Sequence, residues 1–249
     1  MTLTVTILGS SGSYATVDNP CSGYLIRSQS ATVLLDCGPG TLGPLQEHIN
    51  LADLSAVVTT HCHPDHWLEL PVLRNIFCYF MPRPALPVYG TAETDAMHRA
   101  LTVSARPEVF EWTTINDQST FTVGDQHWSF TRSDHPVETL APLVDVDGRR
   151  FCFTSDTGPG WSFSGIDPTV DLALVDASHL KEYEGQGIPH MSARQAGERA
   201  RAGGVKRLVL THLVPGSDLA AHRAEAELAY GGPVEVAVPG MTFALDPTH

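Results

Sequence analysis

The five cysteines, Cys21, Cys37, Cys62, Cys78 and Cys152, include no C-x-x-C pair. Their odd number and scatter argue against a disulfide framework and suit reduced thiols. No apolar run approaches the ~20 residues that cross a bilayer as a helix, so no membrane association is expected. The opening MTLTVTILGS has no basic segment ahead of an apolar stretch and no small-residue cleavage site. No export signal is read there, and a cytoplasmic location is expected. Basic residues are scarce: 15 Lys and Arg stand against 28 Asp and Glu, a formal charge of −13. Affinity for a long nucleic acid comes largely from neutralising phosphates. The charge balance therefore argues against such a partner, and only weakly against a small phosphate ester. No repeat, low-complexity tract or linker divides the 249 residues, and residues 1–249 are read as one domain.

What is present is an alternation of short strands with helices. LTVTILG, SGYLIRS and TVLLDCG read as strands, the last two as a hairpin, and GTLGPLQEHI reads as a helix. SAVVTT is a short β-branched strand. From Asp65 a helix is expected, with Leu68, Val72, Leu73, Ile76 and Phe77 near one face despite Pro71. LPVYG (strand) and TAETDAMHRAL (helix) follow, then strands near 109–115, 119–123, 126–132, 141–146 and 150–154. The last third alternates VDLALVDAS, the helix MSARQAGERARAGG, KRLVLTH, the helix SDLAAHRAEAELAY, and the strands PVEVAV and MTFAL. Two β-rich halves with helices predict an α/β fold of two packed sheets with helices outside.

The densest chemistry lies in VVTTHCHPDHWLELP, Val57–Pro71. His61 and His63, two apart after a strand, can aim at one point. Asp65 and His66, at the next helix start, can face it from another side. Mixed imidazole and carboxylate donors suit zinc, manganese or iron, and the cluster fits two divalent metal ions. Cys62 lies between two inward residues and should point away. Further donors are expected at strand ends, where sheet-based sites are built: His135 in TRSDHPVE, Asp156 in FCFTSDTGPG and His212 in KRLVLTHLVPG. His48, His98, His222 and His249 read as solvated side chains in helices or at the tail. His127 reads as a mid-strand residue outside the chemistry, and His179 as a candidate pocket residue.

THCHPDH, SDHP, TSDTG and LTHLVP, in this order and spacing, resemble the metallo-β-lactamase superfamily. The resemblance runs from about Leu3 to His212. It implies a four-layer αβ/βα sandwich. It places His61, His63 and His135 on one metal, Asp65, His66 and His212 on the other, and Asp156 between them, zinc being favoured and manganese or iron acceptable. Asp65 is counted with the catalytic residues as well. In VLLDCGPG, Asp36 is implied to brace the metal loop rather than to bind.

ILGSSGS, CSGYLI and the segment from LVDASHLKEYEG to LTHL are similar to the ribonuclease Z-like branch. That likeness implies an acid–histidine pair, here Asp176 and His190, with Asp in place of the more usual Glu. Two departures matter. Glu69 stands where the family often has glycine, and only twenty positions separate Asp156 from Asp176, too few for the basic arm of transfer-RNA-processing members. The whole looks like small actinobacterial-type cyclic-nucleotide phosphodiesterases. The expected function is hydrolysis of a small phosphodiester by a hydroxide held between two metals, with a homodimer allowed by the resemblance. The alternatives are a lactone or thioester hydrolase of the same fold, and a ribonuclease Z-like RNA nuclease.

Overall fold

A computed structural model of the chain describes residues 2–102, 109–164, 166 and 169–246. The first half forms β1 (Leu3–Gly9), β2 (Gly23–Arg27), β3 (Thr32–Leu35), α1 (Leu42–His48), β4 (Ala56–Val58), α2 (Pro64–Trp67), α3 (Leu70–Tyr79), β5 (Leu86–Gly90), α4 (Ala92–Leu101) and β6 (Phe110–Thr114). The second half forms β7 (Thr120–Val123), β8 (Gln126–Arg132), β9 (Leu140–Val146), β10 (Arg149–Phe153), β11 (Leu172–Asp176), α5 (Ala193–Ala202), β12 (Leu208–Thr211), α6 (Leu219–Tyr230) and β13 (Val234–Val236). A last strand, β14 (Thr242–Leu245), returns to pair with β1.

The strands make two seven-stranded mixed sheets, ordered β14-β1-β2-β3-β4-β5-β6 and β13-β12-β11-β10-β9-β8-β7. Strand alternation decides the layering, because successive side chains point to opposite faces. Val33 and Leu35 of β3, and Ala56 and Val58 of β4, enter the core between the sheets, where they join Trp128, Val144, Phe151 and Leu174. The intervening Leu34 and Val57 face α1 and α3 through Leu45, Leu73 and Phe77. On the other sheet Leu172 and Leu174 point inward, while Ala173 and Val175 meet α5 and α6 through Ala196, Ala200 and Ala226. The result is the expected α/β sandwich of helices, sheet, sheet and helices. Among the described residues no helix is long and apolar enough to cross a membrane.

The helix expected from Asp65 is instead two helices. Pro71 has no N–H and its ring would meet the carbonyl four residues back, so the chain ends one helix and starts another with proline in its first turn. The register shifts with the break. Leu70, Leu73, Arg74 and Phe77 are buried, whereas Leu68 and Val72 are 40% and 50% exposed. His98 and His222 also depart from the expectation of solvated side chains. His98 packs with Phe110 and Trp112, ring centroids 5.6 Å away, and His222 donates from Nδ1 to the Asp218 carbonyl at 2.8 Å. Both are buried. His48 is half-buried, His127 is exposed in β8, and His249 lies outside the described residues.

Candidate metal centre

The candidate residues sit where strands end. Asp36 follows β3, His61 and His63 follow β4, His135 follows β8, Asp156 follows β10 and His212 follows β12, all along one edge of the sandwich. Three of these turns carry a non-glycine residue in the left-handed region: Asp36 at φ 57°, Ser155 at 53° and His212 at 59°. Ser13, at 65°, is a fourth beside the same centre. Such backbone is sparsely populated and clusters at functional sites. Close approach also fixes two glycines. A Cβ on Gly12 would lie 2.6 Å from the His212 carbonyl oxygen, and one on Gly38 would lie 2.0 Å from that of Asp65.

The structure brings all seven candidate ligands together. His61, His63, His135 and Asp156 form one group, and Asp65, His66, Asp156 and His212 another; within each, the donor atoms lie within 4.8 Å of one another. Nδ1 of His63 lies 3.1 Å from Nε2 of both His61 and His135. Asp156 Oδ1 lies 3.1 Å from Nε2 of His66 and 3.3 Å from Nε2 of His212, while Oδ2 is 3.6 Å from Nε2 of His61. Asp156 is therefore shared between the groups.

Outer partners orient the rings. His66 donates from Nδ1 to Asp36 Oδ2 at 2.7 Å, and His135 donates from Nδ1 to the Pro189 carbonyl at 3.2 Å. Nδ1 of His61 lies 3.1 Å from Thr60 Oγ1, whose own proton goes to Asp36. Nδ1 of His212 lies 3.1 Å from Ser178 Oγ. With Nδ1 engaged outward, these four imidazoles, when neutral, keep their Nε2 lone pairs for the centre, whereas His63 faces it with Nδ1. Asp65 is held in turn by the Ser13 backbone N–H, 2.8 Å from Oδ2.

These residues fit a divalent cation. Nε2 of His66 and Oδ1 of Asp156 are buried and face each other at 3.1 Å without a well-aligned hydrogen bond among the described residues, a costly arrangement for two polar atoms that a shared cation relieves. Burial holds His61 and His135 below the ordinary histidine range, in the neutral form that can ligate. Burial opposes charge on Asp156, yet the imidazoles of His212, His66 and His61 hold its carboxyl well below the usual range. Burial likewise opposes charge on His66 and His212, and the surrounding carboxylates, Asp156 first among them, together outweigh it, raising both.

Asp176 and His190 meet beside it. His190 donates from Nδ1 to Asp176 Oδ2 at 2.7 Å, and its ring stacks on His212 at 5.1 Å. Burial pulls the His190 pKa down, but Asp176, by charge and hydrogen bond, raises it to about 9. Helix α5 does not need His190 as a cap, because Ser192 fills that place in a capping box with Gln195. Asp176 also falls within 4.8 Å of Asp156, His190 and His212. Its oxygens are already taken by Thr157 N, Ser178 N, Ser178 Oγ and His190, which favours an orienting role over a ligand role.

Residues 31–213 match the family model described as beta-lactamase superfamily domain. The chain belongs to the metallo-β-lactamase superfamily. The uncharacterized protein Rv1339 of Mycobacterium tuberculosis is 29% identical, over 96% of this chain and 91% of that one. The probable metallo-hydrolase YhfI of Bacillus subtilis is 26% identical, over 96% of this chain and 98% of that one. The YhfI crystal structure superposes with a TM-score of 0.89, covering 98% of this chain and all of the other. A ribonuclease Z of Haloarcula marismortui is 25% identical, covering 97% of this chain and 96% of its own. The chain is thus a metallo-hydrolase of the superfamily's ribonuclease Z-like branch, and its His/Asp clusters can hold divalent metal.

Four supporting residues were given no role from the sequence. Thr60, Ser155 and Ser178 are hydroxyls that tie ligand loops together, and adjacency to His61, Asp156 and Asp176 was their only signal. Glu69 is the fourth. Its carboxylate accepts from Gly40 N at 2.9 Å and Leu42 N at 2.7 Å, so it caps α1 and ties the metal-loop end to the loop after Asp36. Cys62 points away as expected, with Sγ 3.5 Å from Glu93 Oε2. His179 is half-buried, with Nε2 3.1 Å from the His190 carbonyl.

Proposed function

We propose that the protein is a dinuclear metal-dependent phosphodiesterase for a small phosphodiester such as a cyclic nucleotide. His61, His63 and His135 hold one metal, Asp65, His66 and His212 the other, and Asp156 both. Zinc suits this donor set best, with manganese or iron as substitutes. When bound, the metals supply Lewis-acid neutralisation of the phosphate and a nucleophile from water at neutral pH.

The chain's own contribution is proton and position control. The observation that carries the reading is the 2.7 Å Asp176–His190 bond beside the ligand cluster. His190 spends Nδ1 on Asp176 and keeps Nε2 for the departing oxygen, to which a protonated ring donates as the P–O bond breaks. Asp176, buried and held by three further donors, fixes the ring's direction. Attack on a thioester carbonyl, which releases a thiolate able to leave unprotonated, does not call for this pair.

A small substrate is favoured over RNA. The net charge is −13. The match to ribonuclease Z extends over 299 aligned positions against 249 residues here, so at least 50 positions of it have no counterpart in this chain. The test is metal analysis coupled to a screen of cyclic AMP, cyclic GMP, 2′,3′-cyclic nucleotides, bis-(4-nitrophenyl) phosphate, lactones and glutathione thioesters. Turnover confined to the phosphodiesters is expected. Turnover of lactones or thioesters alone overturns the reading.

A further inference from the structure

A cavity of about 380 Å³ lies beside the main chain of His190 and His212 and takes no part in the chemistry derived above. It lies between the loop that follows β11 and the loop that follows β12, the two segments that deliver His190 and His212. Its walls touch the main chain of two residues of the centre. Ser178 Oγ lies 2.9 Å from the His212 carbonyl oxygen, and His179 Nε2 lies 3.1 Å from the His190 carbonyl. The size falls in the range of small-molecule sites.

The lining has a definite chemistry. Tyr183, Ile188, Val214 and Pro215 give it an aromatic and aliphatic surface. Tyr183 and Val214 are 45% and 43% exposed, large apolar side chains left open beside a polar centre. Among the described lining residues the carboxylates are Glu182 and Asp218, and there is no Lys or Arg. A further phosphate is repelled from such a cavity, whereas a ring bearing N–H donors is accepted. A second observation points the same way. His222 also lines the cavity and is 2% exposed. It spends Nδ1–H on the Asp218 carbonyl and leaves Nε2, an acceptor in that tautomer, without a hydrogen-bond partner among the described residues.

We infer that this cavity is the nucleoside subsite, taking an amino-bearing base (adenine, guanine or cytosine) of a substrate whose phosphate sits at the metal centre. In such a substrate the nucleoside would carry the departing oxygen that His190 serves. That last step rests on the phosphodiesterase reading; the binding chemistry of the cavity does not. A chain continuing through another phosphate is disfavoured there, which separates mononucleotides from RNA.

The test is calorimetric titration of the metal-loaded protein with free adenosine, guanosine, cytidine and uridine, and separately with inorganic phosphate. Two variants plug the cavity at partly exposed positions, Val214→Arg and Ile188→Arg, and circular dichroism melting identifies which of them is folded. The inference predicts that an amino-bearing nucleoside binds more tightly than uridine. It further predicts that binding weakens at least tenfold in a folded plugged variant while phosphate binding stays within twofold. Absence of nucleoside binding at millimolar concentration, or binding unchanged in the folded variants, overturns it. Nucleoside binding that is lost on plugging, combined with a phosphodiester screen without turnover, upholds the subsite and removes the phosphodiesterase reading instead.

Discussion

Asp176 and His190 are separated by a 3-10 turn and fourteen positions of chain, yet the carboxylate and imidazole meet at 2.7 Å. The shorter Asp side chain reaches because it is the last residue of β11, and the loop that follows doubles back to a capped helix. Replacing His190 with alanine should lower kcat on a cyclic nucleotide by about 10²–10⁴-fold, the usual contribution of a positioned acid. The loss should be smaller on bis-(4-nitrophenyl) phosphate, whose leaving group needs no proton. Parallel metal analysis should show unchanged content. Full-rate cleavage of the cyclic nucleotide contradicts the role.

Asp36 binds no metal in this account, yet Asp36→Asn should weaken metal retention. It accepts the His66 Nδ1 proton at 2.7 Å and two more hydrogen bonds from Thr60. Outer partners of this kind are worth about 10–100-fold in metal affinity. Competition with a chromophoric chelator measures the change, and equal affinity in variant and parent refutes the bracing role.

Glu69 ties α1 to the end of the metal loop through two backbone N–H groups and the Thr41 hydroxyl. Glu69→Ala leaves these donors to water and should cost about 1–3 kcal/mol, the range for hydrogen bonds to a charged group. A fall in the urea midpoint at constant slope reads this out. An unchanged midpoint shows that the clamp contributes nothing.

His98 gives stability a pH dependence away from the centre. Burial pulls its pKa down to about 4, with Asp95 opposing and Arg74 and Arg99 adding to the depression. The unfolded chain takes up this proton near the ordinary histidine value of about 6.5. Stability from His98 is therefore fully present above about pH 6.5 and is lost as pH falls toward 4. Between those values the parent should lose more stability than His98→Phe when the two are unfolded in urea. Parallel loss in both contradicts the assignment.

The candidate metal ligands were the most legible part of the sequence. His61, His63, His135, Asp156 and His212 stand at strand ends, and both the β-branched runs before them and the donor types are local signals. The layering was legible for the same reason, since strand alternation is local. What was not legible depends on distant packing. His98 is buried because Phe110 and Trp112 come from β6; Leu68 is exposed at the break between α2 and α3, ahead of Pro71, and Val72 because the new helix starts in a different register. The hydroxyl braces Thr60, Ser155 and Ser178 were illegible too, because a serine or threonine beside a ligand carries no pattern until the opposite loop is in place.

The most direct test is the metal stoichiometry of the metal-replete protein by inductively coupled plasma mass spectrometry, with Asp156→Ala alongside. The account predicts two divalent ions per chain, and loss of both from the variant, because that carboxylate belongs to both donor groups. One ion per chain or none in the parent, or two retained without Asp156, contradicts it.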